Sequence, residues 1–277
     1  MNQDVLVVIG AGGIGQAIAR RQGPGKLVLL ADFNEHTMQT AATVLEGAGY
    51  TVSTQRVDVS SRESVAALAQ QAARWGSVAQ VVHTAGVSPV QAPPSAILAV
   101  DLLGTAFVLE EFGRVIVSGG AGIVISSMAG YMPAPLDPAH ADALAHTPAD
   151  ELLQLPFLSA EAVATSGAAY ALAKRANHLR VQAASVLWGD RGARVNSISP
   201  GIILTPLARD EMSGPGAEGY RRMIEISAAG RAGTADEVAS AAAFLLGPEA
   251  SFITGSDLLM DGGVIAALRS GRLTRQG

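Results

Sequence analysis

The chain has 277 residues, 49% of them apolar and only 4% aromatic, with 31 glycines, no cysteine and a formal net charge of −5. This length suits one large α/β domain or two small ones and allows roughly 75% of the unfolded surface to be buried. The lack of cysteine excludes disulfides, thiolate metal sites and a cysteine nucleophile, and an acidic balance without a Lys/Arg run argues against a nucleic-acid surface.

The opening stretch MNQDVLVVIG has no basic leader, and its apolar run is too short for a signal peptide. No uncharged apolar stretch is long enough to cross a bilayer, so the expectation is a soluble cytoplasmic protein without membrane contact. Short β-branched runs then alternate with Ala-rich stretches. Strands are predicted at 5–10, 26–32, 51–59, 78–86, 122–127, 194–201 and 256–263, and helices near 13–22, 34–48, 61–75, 95–113, 167–188, 217–228 and 235–246. Ser60 with Glu63 and Thr234 with Glu237 have the spacing of capping boxes. This rhythm predicts βαβ units in a single domain over 1–277, with a doubly wound parallel sheet of about seven strands and helices on both faces.

The first strand leads into VVIGAGGIGQAIA, which puts Gly10, Gly12 and Gly15 in G-x-G-x-x-G spacing at the start of the first helix. One glycine makes the tight turn, one lets the backbone approach a pyrophosphate, and one lets helix pack on strand. The helix N-terminus then offers free N–H groups to the anion. Asp32 ends the second strand at the distance expected of a ribose-binding carboxylate. The pattern points to a Rossmann-type dinucleotide site, although methyltransferases share a Gly-rich loop and an acidic second strand. A carboxylate accepts from both ribose hydroxyls and repels a 2′-phosphate. With no Lys or Arg in the glycine loop or directly after Asp32, NAD is expected over NADP; Arg20 and Arg21 read as solvent-exposed.

Further along, VDLLGT places Asp101 inside the 95–113 helix. The segment 131–167 breaks the βα rhythm, and its prolines at 133, 135, 138, 148 and 156 exclude one long helix. It has a polar run, DPAHADALAHTPADE, and an apolar run, LLQLPFLSAEAV. His140 and His146 are six residues apart, which does not set both on one helix face for a metal, and they read as polar surface. Next, AAYALAKRA places Tyr170 and Lys174 one turn apart on one helix face. That pair is either a surface contact or an acid/base couple.

The glycine loop, Asp58-Val59, TAG (84–86), ISS (125–127), Tyr170-x-x-x-Lys174 and SPG (199–201) followed by Thr205 occur in this order over most of the chain. In that ordered set the sequence resembles a short-chain dehydrogenase/reductase. The resemblance implies a cofactor site built from Gly10, Gly12, Gly13, Ile14, Gly15, Asp32, Asp58, Val59, Thr84, Ala85, Gly86, Pro200, Gly201, Ile203 and Thr205, joined by Tyr170 and Lys174. It also implies that the Ser127 hydroxyl bonds the substrate oxygen and that Tyr170 passes the proton. Lys174 would then stabilise the phenolate and bond the nicotinamide ribose. A free tyrosine titrates near ~10, too high for an efficient base at neutral pH, and an adjacent cation lowers that value.

Three features depart from the family pattern. The loop is one residue shorter than T-G-x-x-x-G-x-G and has Ile9 where Thr is usual. The fourth strand ends HTAG, so His83 is expected to pack at the strand end. Asp101 stands where an Asn usually helps hold a water near the lysine. It either keeps that geometry with an added charge, or caps or kinks the helix without joining the relay.

The expected activity is NAD-dependent hydride transfer between nicotinamide and a secondary alcohol or ketone, with a small, largely apolar substrate. An NAD-retaining epimerase or dehydratase and a non-catalytic NAD-binding sensor are the alternatives. The resemblance further implies a homo-oligomer, tetramer or dimer, paired through the last strand and two long helices, and a mobile substrate loop over 206–229 with Gly214 and Gly216 allowing motion. The segment 131–167 is anchored at both ends beside Ser127 and Tyr170. A lid or pocket wall is expected there, with Leu152, Leu153, Leu155, Phe157 and Leu158 covering the substrate; packing on a neighbouring subunit is the alternative.

Overall fold

Apolar runs such as VLVVI and LVLLA have no polar face to give to water, so they demand cover on both sides, which a parallel sheet between helix layers provides. The computed structural model describes residues 3–205, 208, 212–213 and 216–272. Strands β1 (Asp4–Ile9), β2 (Leu27–Asp32), β3 (Thr51–Arg56), β4 (Ser77–His83), β5 (Ala121–Ile125), β6 (Arg194–Pro200) and β9 (Asp257–Met260) form one seven-stranded sheet in the order β3-β2-β1-β4-β5-β6-β9. All six pairings are parallel. Strands β7 (Ile203–Leu204) and β8 (Gly233–Thr234) pair separately.

Helices α1 (Gly13–Gln22), α2 (Glu35–Gly47) and α10 (Ala235–Leu246) cover one face of the sheet, while α3 (Arg62–Trp75), α5 (Thr105–Gly113) and α8 (Ser166–Gly189) cover the other. Val5, Val7 and Ile9 face the second layer and Leu6 and Val8 the first, as the two-residue period of a strand requires. Further helices among the described residues include α4 (Pro94–Ile97), α6 (Pro138–His146), α7 (Ala149–Leu152), α9 (Ala217–Ile226) and α11 (Val264–Arg269).

Several sequence expectations need local correction. The box at Thr234 and Glu237 forms with both reciprocal bonds. The one at Ser60 does not, because the Asp58 carboxylate takes both the backbone N–H and the hydroxyl of Ser60, and the helix is capped one residue later by Ser61. Strand β4 ends at His83 because the N–H groups of Thr84 and Ala85 both turn to the carbonyl of Ile9. The expected helix over 95–113 is continuous but changes winding, with a π-helical segment at Leu98–Gly104 between α4 and α5. Gly104 permits the close approach, since a Cβ there would lie 2.9 Å from the Val59 side chain. A π turn inside a helix often marks a functional position.

The 131–167 segment folds as short pieces set by its prolines: α6 begins at Pro138, Pro148 caps α7, and Pro156 opens a 3₁₀ turn. Leu144, Ala149, Leu152, Leu158 and Val163 are buried in the core beside α5 and α8. His140 stacks on Phe157, and His146 bonds Asp142. Arg62 ties the segment down by binding Glu110 and Glu111 on α5 and Asp150 on α7 at once. Arg180 donates to the carbonyls of Leu144 and Thr147. The expected cover over the substrate is therefore corrected. Leu152 and Leu158 are core, Leu155 and Phe157 pack against it, and Leu153 is partly exposed. Apolar side chains placed beside the long helices gain more by joining the core than by roofing an open cleft.

Candidate active site

The glycine loop lies at the carboxyl edge of the sheet. Gly10 has φ +104°, a conformation favoured by glycine, and a Cβ there would fall 2.6 Å from the Ala85 amide. Gly15 packs on the Gly10 carbonyl, whereas Gly12 faces open space. The first turn of α1 has no capping side chain and no acidic residue, so its N–H groups remain available to an anion. Asp32 is held on both oxygens: Oδ2 accepts from Ala11 N at 2.7 Å and Oδ1 from Asn34 N at 2.8 Å. This places a fixed carboxylate beside the phosphate loop, with lone pairs left for two hydroxyl donors. An open glycine, an uncapped helix start and a fixed carboxylate together fit a dinucleotide.

A cleft of about 370 Å³ continues from this loop. Ser127, Tyr170, Lys174, Asp101, Ile14, Thr84, Gly86, Pro200, Gly201, Ile203 and Thr205 all line it. Gly10, Gly12, Gly13, Gly15, Asp32, Asp58, Val59 and Ala85 do not; the glycines form the loop, Asp32 and Asp58-Val59 lie at the ends of β2 and β3, and Ala85 follows β4. Val59 turns its side chain into the core, and Asp58 is engaged by Ser60. Within 206–229, the described Ala208, Tyr220 and Met223 line the cleft. Gly214 lies outside the described residues.

The candidate reactive groups are set by β5 and α8. Ser127 follows β5, and its Oγ accepts from Ala129 N at 3.1 Å. The neighbouring Ser126 hydroxyl donates to the Lys174 carbonyl at 2.8 Å and so clamps α8 to the strand end. Gly130 lets the two elements touch, since a Cβ would meet the Lys174 carbonyl carbon at 2.9 Å. The Lys174 ammonium lies 5.2 Å from the centre of the Tyr170 ring.

Lys174 also donates to Asp101 Oδ1 at 2.8 Å, a contact between a 5% exposed and a 0% exposed residue. Val87 N–H completes the carboxylate at 3.2 Å. Burial opposes the ammonium, but Asp101 and Tyr170 outweigh it and hold Lys174 above its ordinary value. Burial also pushes the Asp101 carboxyl up against the pull of Lys174. With the two atoms at 2.8 Å, we take the pair as ionic. Neither alternative drawn for Asp101 from the sequence included this direct contact. Both the π turn and an electrostatic link to the lysine are present.

Sequence reading missed four further features. Met128, Met132, Tyr220 and Met223 form a largely apolar part of the cleft wall. Of the 131–167 segment, only Met132 and Gly167 reach it. Arg56 stands in register beside Asp32 across the β2–β3 pair, with its guanidinium 4.6 Å above the Phe33 ring. A cation on the neighbouring strand leaves no mark in the residues that follow Asp32. Finally, Tyr131, Asp257, His178 and Ser199 join β9 to α8 behind the cleft.

His83 is 2% exposed and bonds Thr105. Burial, then the Lys174 charge, holds it neutral down to about 3, against an ordinary 6.5. Because the folded value is the lower one, the unfolded chain binds the proton first. The stability contribution is complete above 6.5 and is lost as pH falls toward 3, by roughly 4 kcal/mol at the bottom of that window. His83→Gln is expected to flatten the melting temperature against pH between 6.5 and 4. An unchanged slope would show that His83 is not the group responsible.

Comparison with known proteins places these features in context. The family model described as short chain dehydrogenase matches residues 3–142, and the one described as Enoyl-(Acyl carrier protein) reductase matches 139–265. The chain is 47% identical over 270 residues to the short-chain dehydrogenase/reductase bsc3 of Alternaria brassicicola, covering 97% of this chain and 98% of that protein. It is 29% identical over 268 residues to the galactitol 2-dehydrogenase (L-tagatose-forming) of Cereibacter sphaeroides, covering 92% of each. Among solved structures, a short-chain type dehydrogenase/reductase from Mycobacterium ulcerans superposes with a TM-score of 0.74 at 25% identity, over 95% of this chain and 90% of that one.

Proposed function

The chain belongs to the short-chain dehydrogenase/reductase family of hydride-transferring oxidoreductases, and from that premise we propose that it uses NAD to interconvert a secondary alcohol and ketone with a largely apolar body. The observation that carries this reading is the common cleft of Ser127, Tyr170 and Lys174 beside an open glycine loop. When bound, nicotinamide supplies the acceptor or donor of the hydride.

The residues supply the rest. The Ser127 hydroxyl donates to the substrate oxygen and fixes it. In the oxidative direction the Tyr170 phenolate takes the proton of the alcohol O–H as a hydride leaves the carbon; in reduction the Tyr170 phenol returns that proton to the oxygen. Lys174 favours the phenolate by its charge, and two of its three N–H donors remain for a ribose after the bond to Asp101. Thr205, Ile203 and Gly201 border the cleft where the carboxamide would lie.

Cofactor choice follows from Asp32, whose fixed carboxylate favours ribose hydroxyls and disfavours a 2′-phosphate. Substrate class follows from the methionine-lined wall, where Met128, Met132 and Met223 offer polarisable apolar surface that adapts to irregular shape. That wall gives a polyol few partners, in contrast to the substrate named for the Cereibacter relative.

The test is a panel of alicyclic, aliphatic and polyol secondary alcohols read by NADH absorbance, with titration of both cofactors. NADH is expected to form stoichiometrically with apolar alcohols, and NAD to bind more tightly than NADP. Asp32→Ala is expected to close that gap, because it removes the repelling carboxylate while Arg56 stays in register with that position on β3. Equal affinities in the unaltered protein would remove the NAD assignment. Substrate inversion without net NADH would indicate an epimerase.

A further inference from the structure

We propose that Asp101, through its buried contact with Lys174, sets the pH at which Tyr170 releases its proton and holds that step to the alkaline side of where Lys174 alone would place it. The functional consequence rests on the acid/base role assigned to Tyr170; the electrostatic claim does not.

The contact is built by three elements. The π turn at 98–104 directs Asp101 inward from its helix, α8 presents Lys174, and the loop after β4 closes over both. Gly86 in that loop has to be small, since a Cβ would lie 2.5 Å from Asp101 Oδ1 and 3.3 Å from Lys174 Nζ. Val87 N–H holds the second carboxylate oxygen. The carboxylate is therefore fixed, dry and aimed at the ammonium.

The charge balance gives the sign. With Asp101 and Lys174 both ionised, the site is neutral while Tyr170 is a phenol, and loss of the proton leaves one net negative charge in a poorly solvated place. Without the carboxylate, the same loss takes the site from one positive charge to neutrality, which burial favours. Tyr170 and Lys174 lie close enough to titrate as a couple, so the first proton lost belongs to the pair. Other charged groups around the lysine do not reverse this. His83 approaches from β4 and is held neutral. His178, one turn along α8, is depressed by burial although Asp257 beside it opposes that, with Arg175 and Lys174 adding to the depression. Besides Tyr170 itself, Asp101 is the acidic group that raises Lys174.

The test uses the whole protein without cofactor or substrate. Phenolate absorbance is titrated for the native chain and for Asp101→Asn, each in difference against its own Tyr170→Phe variant, which isolates one of the four tyrosines. Asp101→Asn is expected to move the Tyr170 step down by on the order of one pH unit. The acid limb of kcat/KM for alcohol oxidation should move with it. A step that stays in place or rises overturns the proposal, as does a proton lost from Lys174 with no new phenolate absorbance.

If Asp101→Asn does not fold, Asp101→Asn/Lys174→Gln keeps a hydrogen bond without buried charge. Tyr170 should then titrate less than about one unit above native, because Asp101 already offsets much of the pull of Lys174; a rise of about one unit or more, as expected of an unopposed lysine, overturns the proposal. A shifted phenolate step with an unmoved rate profile supports the electrostatic claim and instead removes Tyr170 as the acid/base.

Discussion

Tyr170→Phe is expected to lower turnover by roughly 10²-fold or more, with cofactor binding and melting temperature little changed. The substitution deletes one hydroxyl and keeps the ring, which packs against the core layer of α5 and α8. In the proposed reaction Ser127 would still hold the substrate oxygen and Lys174 would still carry its charge, but the group proposed to exchange the proton would be gone. Lys174→Ala should behave differently. It removes the ammonium from both Tyr170 and the cofactor side, and it strands the 0% exposed Asp101 carboxylate. Breaking a buried pair from one side costs about 3–5 kcal/mol, so stability, cofactor affinity and turnover should all fall. Turnover, cofactor titration and melting curves separate the two cases. Near-native activity in Tyr170→Phe would show that the proton moves by another route.

Gly15→Ala is expected to cost about 1–3 kcal/mol of stability and to weaken cofactor binding by about tenfold or more, ~1.4 kcal/mol. A Cβ at Gly15 would overlap the carbonyl oxygen of Gly10 and press the Thr84 hydroxyl at 3.0 Å. Neither neighbour can retreat. Gly10 N is bonded to Ala31, and Thr84 Oγ1 donates to the Gly10 carbonyl at 2.8 Å. The start of α1 must therefore lift off β1, and the N–H groups meant for a phosphate move with it. Gly12→Ala serves as the contrast. Its Cβ meets nothing within 4 Å, so stability should hold while cofactor affinity falls if a pyrophosphate comes close to that backbone. Equal losses of stability in the two variants would show that helix–strand packing at Gly15 is not the cause.

What the sequence determined by itself is whatever local order encodes. The parallel sheet was legible because runs such as VLVVI and LVLLA are too apolar for any surface and too short for helices. The turn between β1 and α1 was legible because its three glycines, within six residues, suit a tight strand-to-helix turn. Tyr170 and Lys174 could be read as a pair because one helical turn fixes their relation, and Thr234 with Glu237 as a cap for the same reason. Ser60 shows the limit of such reading: its spacing was right, but the Asp58 carboxylate was the stronger partner.

The tertiary structure decided what depends on partners distant in sequence. Asp101 and Lys174 are 73 residues apart, and their contact needed a π turn, a glycine and a strand-end loop to coincide. Arg56 was set beside Asp32 only by strand register, with its guanidinium on Phe33 and near Glu35. The 131–167 segment had the composition of a lid, but its leucines joined the core because α5 and α8 gave them more apolar surface to bury than the cleft did. Local periodicity fixes which residues share a face; only packing fixes what that face meets.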